Sequence, residues 1–190
     1  MKTVNIMFVG VGGQGTLLAS RITGNVLLSL GFDAKVSEVH GMSQRGGSVT
    51  TYVKYGDEVH SPIVDKGEAD YIVGFELMEA ARWVPYLKKG GKMLINTQKL
   101  PPMPVIIGAA EYNEDIIGKI KALGVEVVAV DALEMAIEAG SSRSTNVVMM
   151  GALSNELGFD EKLWIDAINE CSPKPALDIN LKAFELGRKQ

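Results

Sequence analysis

Gly10, Gly12 and Gly15 in "GVGGQG" lie between an apolar run and a helix-like run, with the spacing of a dinucleotide fingerprint. Glycines there let a backbone approach a pyrophosphate, whose charge the amides and dipole of a helix start would favour. Glu38 closes the next strand-like run, where an acidic side chain would take a ribose hydroxyl. Together these would make a nicotinamide or flavin site. The simpler reading is a tight turn that permits close helix–strand packing.

A second loop competes with that assignment. An unadorned dinucleotide fold passes from its second strand into a helix, whereas here Glu38 is followed by His40, Ser43, Gln44, Arg45, Gly46 and Gly47 in "VHGMSQRGGSV". Arg45 carries a planar, always-charged fork suited to carboxylate or phosphate, and Gly46 and Gly47 give its ligand room to approach. Ser43 and Gln44 add neutral donors. His40 could exchange a proton near neutral pH, but no Ser or Cys nucleophile forms an identifiable triad motif with it, so a hydrogen-bonded structural histidine is the plainer account. Asn146, near a helix start, either caps that helix or points into a site.

Weaker candidates have plain structural readings. His60 reads as an ordinary strand residue, with Ser61-Pro62 as a strand-ending turn. Met149, Met150 and Trp164 fall at helical core positions. The polar run Ser141 to Ser144 could receive phosphate groups, yet reads as a solvated loop. Cys171 has no basic neighbour in sequence to activate it.

The elements that must position these residues alternate between strand-like and helix-like runs, the pattern of an α/β chain. The expectation is a Rossmann-like, mostly parallel but mixed sheet, open to strong curling, with a helical C-terminal tail. "TVNIMFV" is the first strand; the helix after it stops at Gly31. "DAKVSEV" is the second. "SVTTYVKYG" is an extended strand, expected to form an antiparallel hairpin with "EVHSPIV" across Gly56-Asp57. "ADYIVGF", "GKMLINT" and "VEVVAV" are further strands, separated by helices in "ELMEAARWVPYL" and "EDIIGKIKALG". "QKLPPMP" is a loop or lid. "DALEMAIEAG" opens on Asp131 with Glu134 three residues later, a variant of the capping box. From Ser141 onward three helices are expected to pack on the sheet or on a partner.

Composition limits the function classes. At 190 residues, with 46% hydrophobic and 22% charged residues, a single globular domain is expected. A net charge of −4 opposes non-specific nucleic-acid binding. No apolar run approaches the roughly 18 residues of a spanning helix, and the N-terminus lacks a signal-peptide pattern, which together predict a cytoplasmic chain without a membrane role. One cysteine cannot by itself hold a zinc ion or an iron–sulfur cluster.

From about Val4 to Gly187, the segments "GVGGQGTLLASRI", "SEVHGMSQRGGSV", "HSPIV", "ADYIVGFELMEAARWVPYLKKGGKMLINT" and "NLKAFELG" resemble the gamma-type subunits and domains of 2-oxoacid:ferredoxin oxidoreductases, and among them the beta-type subunits for indolepyruvate. The "EVHGMSQRGG" motif is the more specific part. The resemblance implies that residues 1–190 form one pyruvate/ketoisovalerate oxidoreductase gamma-type domain. It implies a complex that decarboxylates an indolepyruvate-like or other 2-oxoacid, sends electrons through iron–sulfur clusters to ferredoxin, and releases an acyl-coenzyme A. Thiamine diphosphate, magnesium and the clusters would reside on a large partner subunit, with none on this chain. Gly12, Gly13, Gln14 and Gly15 map onto the family's first loop, and Ser43, Gln44, Arg45, Gly46 and Gly47 onto its second. The isolated chain would be inactive and prone to form a homodimer. Two rival readings stay open: a free-standing NAD- or flavin-dependent oxidoreductase, and a ligand-binding regulatory module.

Overall fold

A computed structural model of the chain describes residues 3–41 and 47–190, with the side chain of His40 outside that description. Six strands are present: β1 (Val4–Val11), β2 (Asp33–His40), β3 (Ser48–Gly56), β4 (Ala69–Gly74), β5 (Leu87–Asn96) and β6 (Glu126–Val130). Around them lie α1 (Thr16–Ser29), α2 (Leu77–Trp83), α3 (Met103–Ile106), α4 (Ile116–Ala122), α5 (Ala132–Ala139), α6 (Thr145–Leu157), α7 (Glu161–Cys171) and α8 (Leu177–Arg188).

The sheet runs β2-β3-β1-β4-β5-β6. β1, β4, β5 and β6 pair in parallel, while β3 is antiparallel to both of its neighbours. Strand alternation divides the core. Ile6 and Phe8 of β1 face the layer of α1, α5, α6, α7 and α8, whereas Met7 and Val9 face α2 and α4. All four are fully buried, as a strand covered on both sides requires, and each such side chain contributes roughly 1.5–3 kcal/mol.

The C-terminal helices pack on the sheet side of the molecule. α6 buries every residue from Asn146 to Ser154, and Trp164 and Phe184 close the layer, so Met149, Met150 and Trp164 are core residues as their spacing indicates. α1 ends where Gly31 enters the left-handed region at φ 81°. The N–H groups of Gly31 and Phe32 return to the carbonyls of Leu28 and Leu27, which satisfies the helix end.

Four sequence expectations need correction. "SVTTYVKYG" forms no hairpin with "EVHSPIV": β3 lies between β2 and β1, so both of its edges are already hydrogen-bonded. The stretch from Glu58 to Val64 is irregular, which leaves Ser61-Pro62 no strand to end, and His60 is an exposed loop residue 3.8 Å from Glu58. Asp131 stands at the N-cap of α5 but makes no side-chain cap bond, so the box signature is not realised. The proline-rich loop also carries the start of α3, because Pro104 lies in the first turn, where its missing N–H costs nothing.

Candidate functional site

The first glycine loop is shaped by Gln14. Its Oε1 accepts from Val11 N–H at 2.9 Å and its Nε2 donates to the Phe75 carbonyl at 2.9 Å. The same carbonyl accepts from Asn96 Nδ2, also at 2.9 Å, so one amide side chain helps fasten the ends of β1, β4 and β5. Gly10 is glycine for this reason: a Cβ there would stand 2.7 Å from Gln14 Oε1 and 3.2 Å from Phe75 Cβ. The crevice between β1 and β4, where the chain's connections change direction and open α/β folds bind ligands, is thus bridged by the protein's own amide.

Gly15 caps α1 with φ 79° and no side-chain bond. A Cβ on it would overlap the Asn146 amide, whose Nδ2 donates to the Gly15 carbonyl at 3.1 Å. Asn146 Oδ1 accepts from Val147 N–H at 3.0 Å. Asn146 therefore joins α6 to the first loop and is not aimed at open space. Gly13 is the open member, with φ 98° and nothing within 4 Å of a Cβ position.

The insertion of β3 moves the acidic residue of β2. In a dinucleotide fold that strand lies beside β1; here Glu38 is one strand further away, opposite Thr51 of β3. Glu38 Oε2 accepts from the hydroxyls of Thr51 at 3.0 Å and Thr16 at 3.3 Å. These bonds tie β2 and β3 to the start of α1.

Ser43, Gln44, Arg45 and Gly46 lie outside the described residues, as does the His40 side chain. Both ends of their loop are placed. Gly41 N–H donates to the Ser48 carbonyl, and Gly12 N–H donates to the Gly47 carbonyl, each at 2.9 Å. The first loop and the end of the second are thus bonded to each other at Gly12 and Gly47.

Two clefts flank the first loop. The smaller, about 280 Å³, brings Gly13 and Gln14 together with Gln98, Ser142, Arg143 and Thr145. It contains no acidic side chain, and Arg143 is exposed. The larger, about 580 Å³, is lined by Val11, Gly12, Ser48, Glu79 and Arg82 together with Pro101, Pro102, Met103 and Ile106. Leu100 lines both. A third hollow of about 580 Å³ lies at the opposite edge of the sheet, around Asn5, Lys54, His60 and Lys88. It is remote from both glycine loops, and its Lys88 pairs with Asp70.

The larger cleft holds two buried carboxyl groups that the sequence reading passed over. Glu76 is 1% exposed and caps α2: Oε2 accepts from Glu79 N–H at 2.8 Å, and Oε1 accepts from Leu100 N–H at 3.1 Å and Tyr112 O–H at 2.9 Å. Burial, followed by this bond and the charge of Glu76, pushes the Tyr112 phenol well above its ordinary pKa. Glu79 is 6% exposed; Oε2 accepts from Ser48 O–H at 2.6 Å and Oε1 lies 3.2 Å from Arg82 Nε. Arg143 was also read as part of a solvated run. Among the described residues no group of three His, Cys, Asp or Glu side chains could hold a metal ion. No described helix is long and apolar enough to cross a membrane. Burial raises the Cys171 thiol, with Arg21 acting weakly the other way, in keeping with an inert role.

Residues 5–190 match the pyruvate ferredoxin/flavodoxin oxidoreductase family. The chain is 44% identical to indolepyruvate oxidoreductase subunit IorB of Thermococcus kodakarensis, over 100% of this chain and 96% of that one. It is 39% identical to the IorB of Archaeoglobus fulgidus, over 98% and 94%. Among solved structures, pyruvate oxidoreductase subunit PORC from Thermotoga maritima superposes with a TM-score of 0.78 at 21% identity, covering 100% of this chain and 97% of that one. The gamma subunit of a keto/oxoacid ferredoxin oxidoreductase from Geobacter sulfurreducens gives 0.73 at 22% identity, covering 98% and 96%. The mixed sheet with its wedged β3 is therefore a shared fold, and the full-length sequence match carries the assignment further: the chain belongs to the pyruvate ferredoxin/flavodoxin oxidoreductase family.

Proposed function

We propose that this chain is the subunit of an indolepyruvate:ferredoxin oxidoreductase that carries no redox cofactor of its own. The observation that carries the reading is the match to IorB over the whole chain. The reaction joins an arylpyruvate and coenzyme A, releases carbon dioxide and a proton, and delivers two electrons to ferredoxin, leaving an acyl thioester. Thiamine diphosphate with magnesium, which would supply the carbanion-stabilising chemistry, and the iron–sulfur clusters would belong to the large partner subunit. Cys171 is the only cysteine in the sequence, too few for a cluster held by this chain.

This chain's part is to shape the coenzyme A and oxoacid access route at the carboxyl edge of the sheet. Gly13 and Arg143 face the same small, acid-free cleft, a fit to the phosphate groups of coenzyme A. A solved structure with the same fold, the 2-oxoglutarate:ferredoxin oxidoreductase from Magnetococcus marinus, contains bound coenzyme A; this chain covers 31% of it at a TM-score of 0.74. In the neighbouring loop, Ser43, Gln44, Arg45, Gly46 and Gly47 would meet the ligand or the partner. Exposed Leu100, Met103 and Ile106 line the larger cleft and form the docking edge, through which an isolated chain would pair with a second copy. Residues 1–190 would act as one domain in the cytoplasm.

A free nicotinamide or flavin enzyme fits less well, since Gln14 bridges the crevice and Glu38 is displaced by a strand. Two measurements test the reading. The purified chain alone should neither decarboxylate an oxoacid nor reduce ferredoxin, and activity should appear with the partner subunit. Calorimetry should find NAD(H) and FAD binding weaker than about 1 mM, roughly 4 kcal/mol. Turnover by the chain alone, or micromolar binding of either dinucleotide, would sink the subunit role.

A further inference from the structure

Glu76 and Glu79 occupy the start of one short helix, are almost wholly buried, and have no part in the chemistry proposed above. A carboxyl group taken out of water is costly unless its oxygens are fully engaged. Both are engaged, and what they engage is informative. Apart from capping α2, Glu76 accepts from Leu100 N–H and Tyr112 O–H, which bracket the proline-rich segment and α3. Glu79 accepts from Ser48 O–H, the first residue after the second glycine loop. Ser48 and Leu100 both line the larger cleft, and α2 holds one with each carboxyl group. The two residues also meet within α2, because the backbone N–H of Glu79 donates to Glu76 Oε2.

We propose that Glu76 and Glu79 are positioning residues: α2 acts as a two-sided clamp that sets the width of the cleft by fixing the proline-rich segment through Glu76 and the start of β3 through Glu79 and Ser48. The consequence for ligand affinity rests on the reading of this edge as the coenzyme A and oxoacid route. Gly41 and Gly12 hold the loop base through backbone bonds alone, which constrain it along the sheet. The Ser48 to Glu79 bond ties the start of β3 to α2. At 2.6 Å it has the length of a charge-assisted hydrogen bond.

Hydrogen–deuterium exchange on the full chain tests the clamp without any ligand. Ser48→Ala and Glu79→Ala should speed exchange in peptides covering residues 41–49 by about tenfold to a hundredfold, the loss of one charge-assisted bond. Glu79→Gln, which keeps an acceptor for Ser48 without the charge, should restore part of the protection. Tyr112→Phe should act on residues 98–108 and leave 41–49 alone. Wild-type rates in 41–49 for both Ser48→Ala and Glu79→Ala, or increases spread evenly over β4 and α6, would overturn the proposal. In the complex reassembled with its partner subunit, Ser48→Ala should raise the KM for coenzyme A about tenfold while kcat falls less than threefold. If exchange responds as stated and this KM does not move, the clamp stands and the assignment of the access route falls.

Discussion

The two clefts beside the first glycine loop share Leu100 and differ in electrostatics. Arg143 enters a pocket without an acidic side chain, so its charge is available to a ligand. Arg82 enters a larger, apolar-walled cleft with its charge already offset by Glu79 at 3.2 Å. One loop therefore faces a space lined by a cation on one side and, on the other, an apolar-walled space whose carboxyl groups outnumber its one guanidinium. A guanidinium alone does not make an anion site; what neutralises it decides. A ligand such as coenzyme A, with phosphates at one end and an uncharged pantetheine arm, matches that division.

The largest expected effect strikes the first glycine loop, which lines one cleft through Gly12 and the other through Gly13 and Gln14. Gly15→Ala would place a Cβ against the Asn146 amide at a backbone φ of 79°, combining left-handed strain with overpacking. A loss of about 2–4 kcal/mol is expected, seen as a midpoint shift in urea unfolding. Gly13→Ala, with a positive φ but open space, should cost less, about 1–2 kcal/mol. Equal losses would show that the Asn146 contact is not what holds the loop.

Next comes the electrostatic contrast itself. Arg143→Ala should weaken coenzyme A binding by the complex about tenfold to a hundredfold, or roughly 1.5–3 kcal/mol, with Arg143→Lys recovering part because an ammonium keeps charge but not the fork. Arg82→Ala should change it less than about fivefold, since a half-exposed ion pair already neutralised is worth up to about 1 kcal/mol. Similar losses in both variants would erase the distinction between the clefts.

These residues were unevenly legible in the sequence. The spacing of Gly10, Gly12 and Gly15 placed the first loop, and helix periodicity placed α1 and α6, because short-range sterics and burial write those patterns locally. The "EVHGMSQRGG" motif gave the family. Strand alternation, by contrast, says which face of β3 is buried and nothing about its neighbours, so the wedge between β1 and β2 was missed. Glu76 and Glu79 read as ordinary acidic residues at a helix start, a position where carboxyl groups usually meet water. Their burial depends on Leu100 and Tyr112, more than twenty residues downstream, and on Ser48 upstream. Arg143 reads as part of a polar loop until α5 and α6 bring it beside Gly13.

The smallest expected effect separates the clefts by pH. Tyr112 braces only the larger cleft, and its phenol is held protonated above the ordinary range by burial and by its bond to Glu76. A group whose folded pKa is raised contributes stability that is complete below its unfolded value, about 10, and is lost as pH rises through the folded value. Tyr112→Phe should therefore cost about 1 kcal/mol at neutral pH, a few degrees in Tm. That difference should hold to about pH 9 and shrink above about pH 10, because the unfolded wild-type chain then sheds a proton that the folded one keeps. Burial also raises Tyr52, Tyr71 and, to about 12, Tyr55, but these titrate in both proteins and cancel in the difference. Tm measured for both proteins from pH 7 to 11 checks it. A difference near zero across that range would mean that Tyr112 supports the proline-rich segment by packing alone. In that case exchange at residues 98–108 should be as slow in Tyr112→Phe as in the wild type, which would leave Leu100 as the only tie from Glu76 to that wall of the cleft.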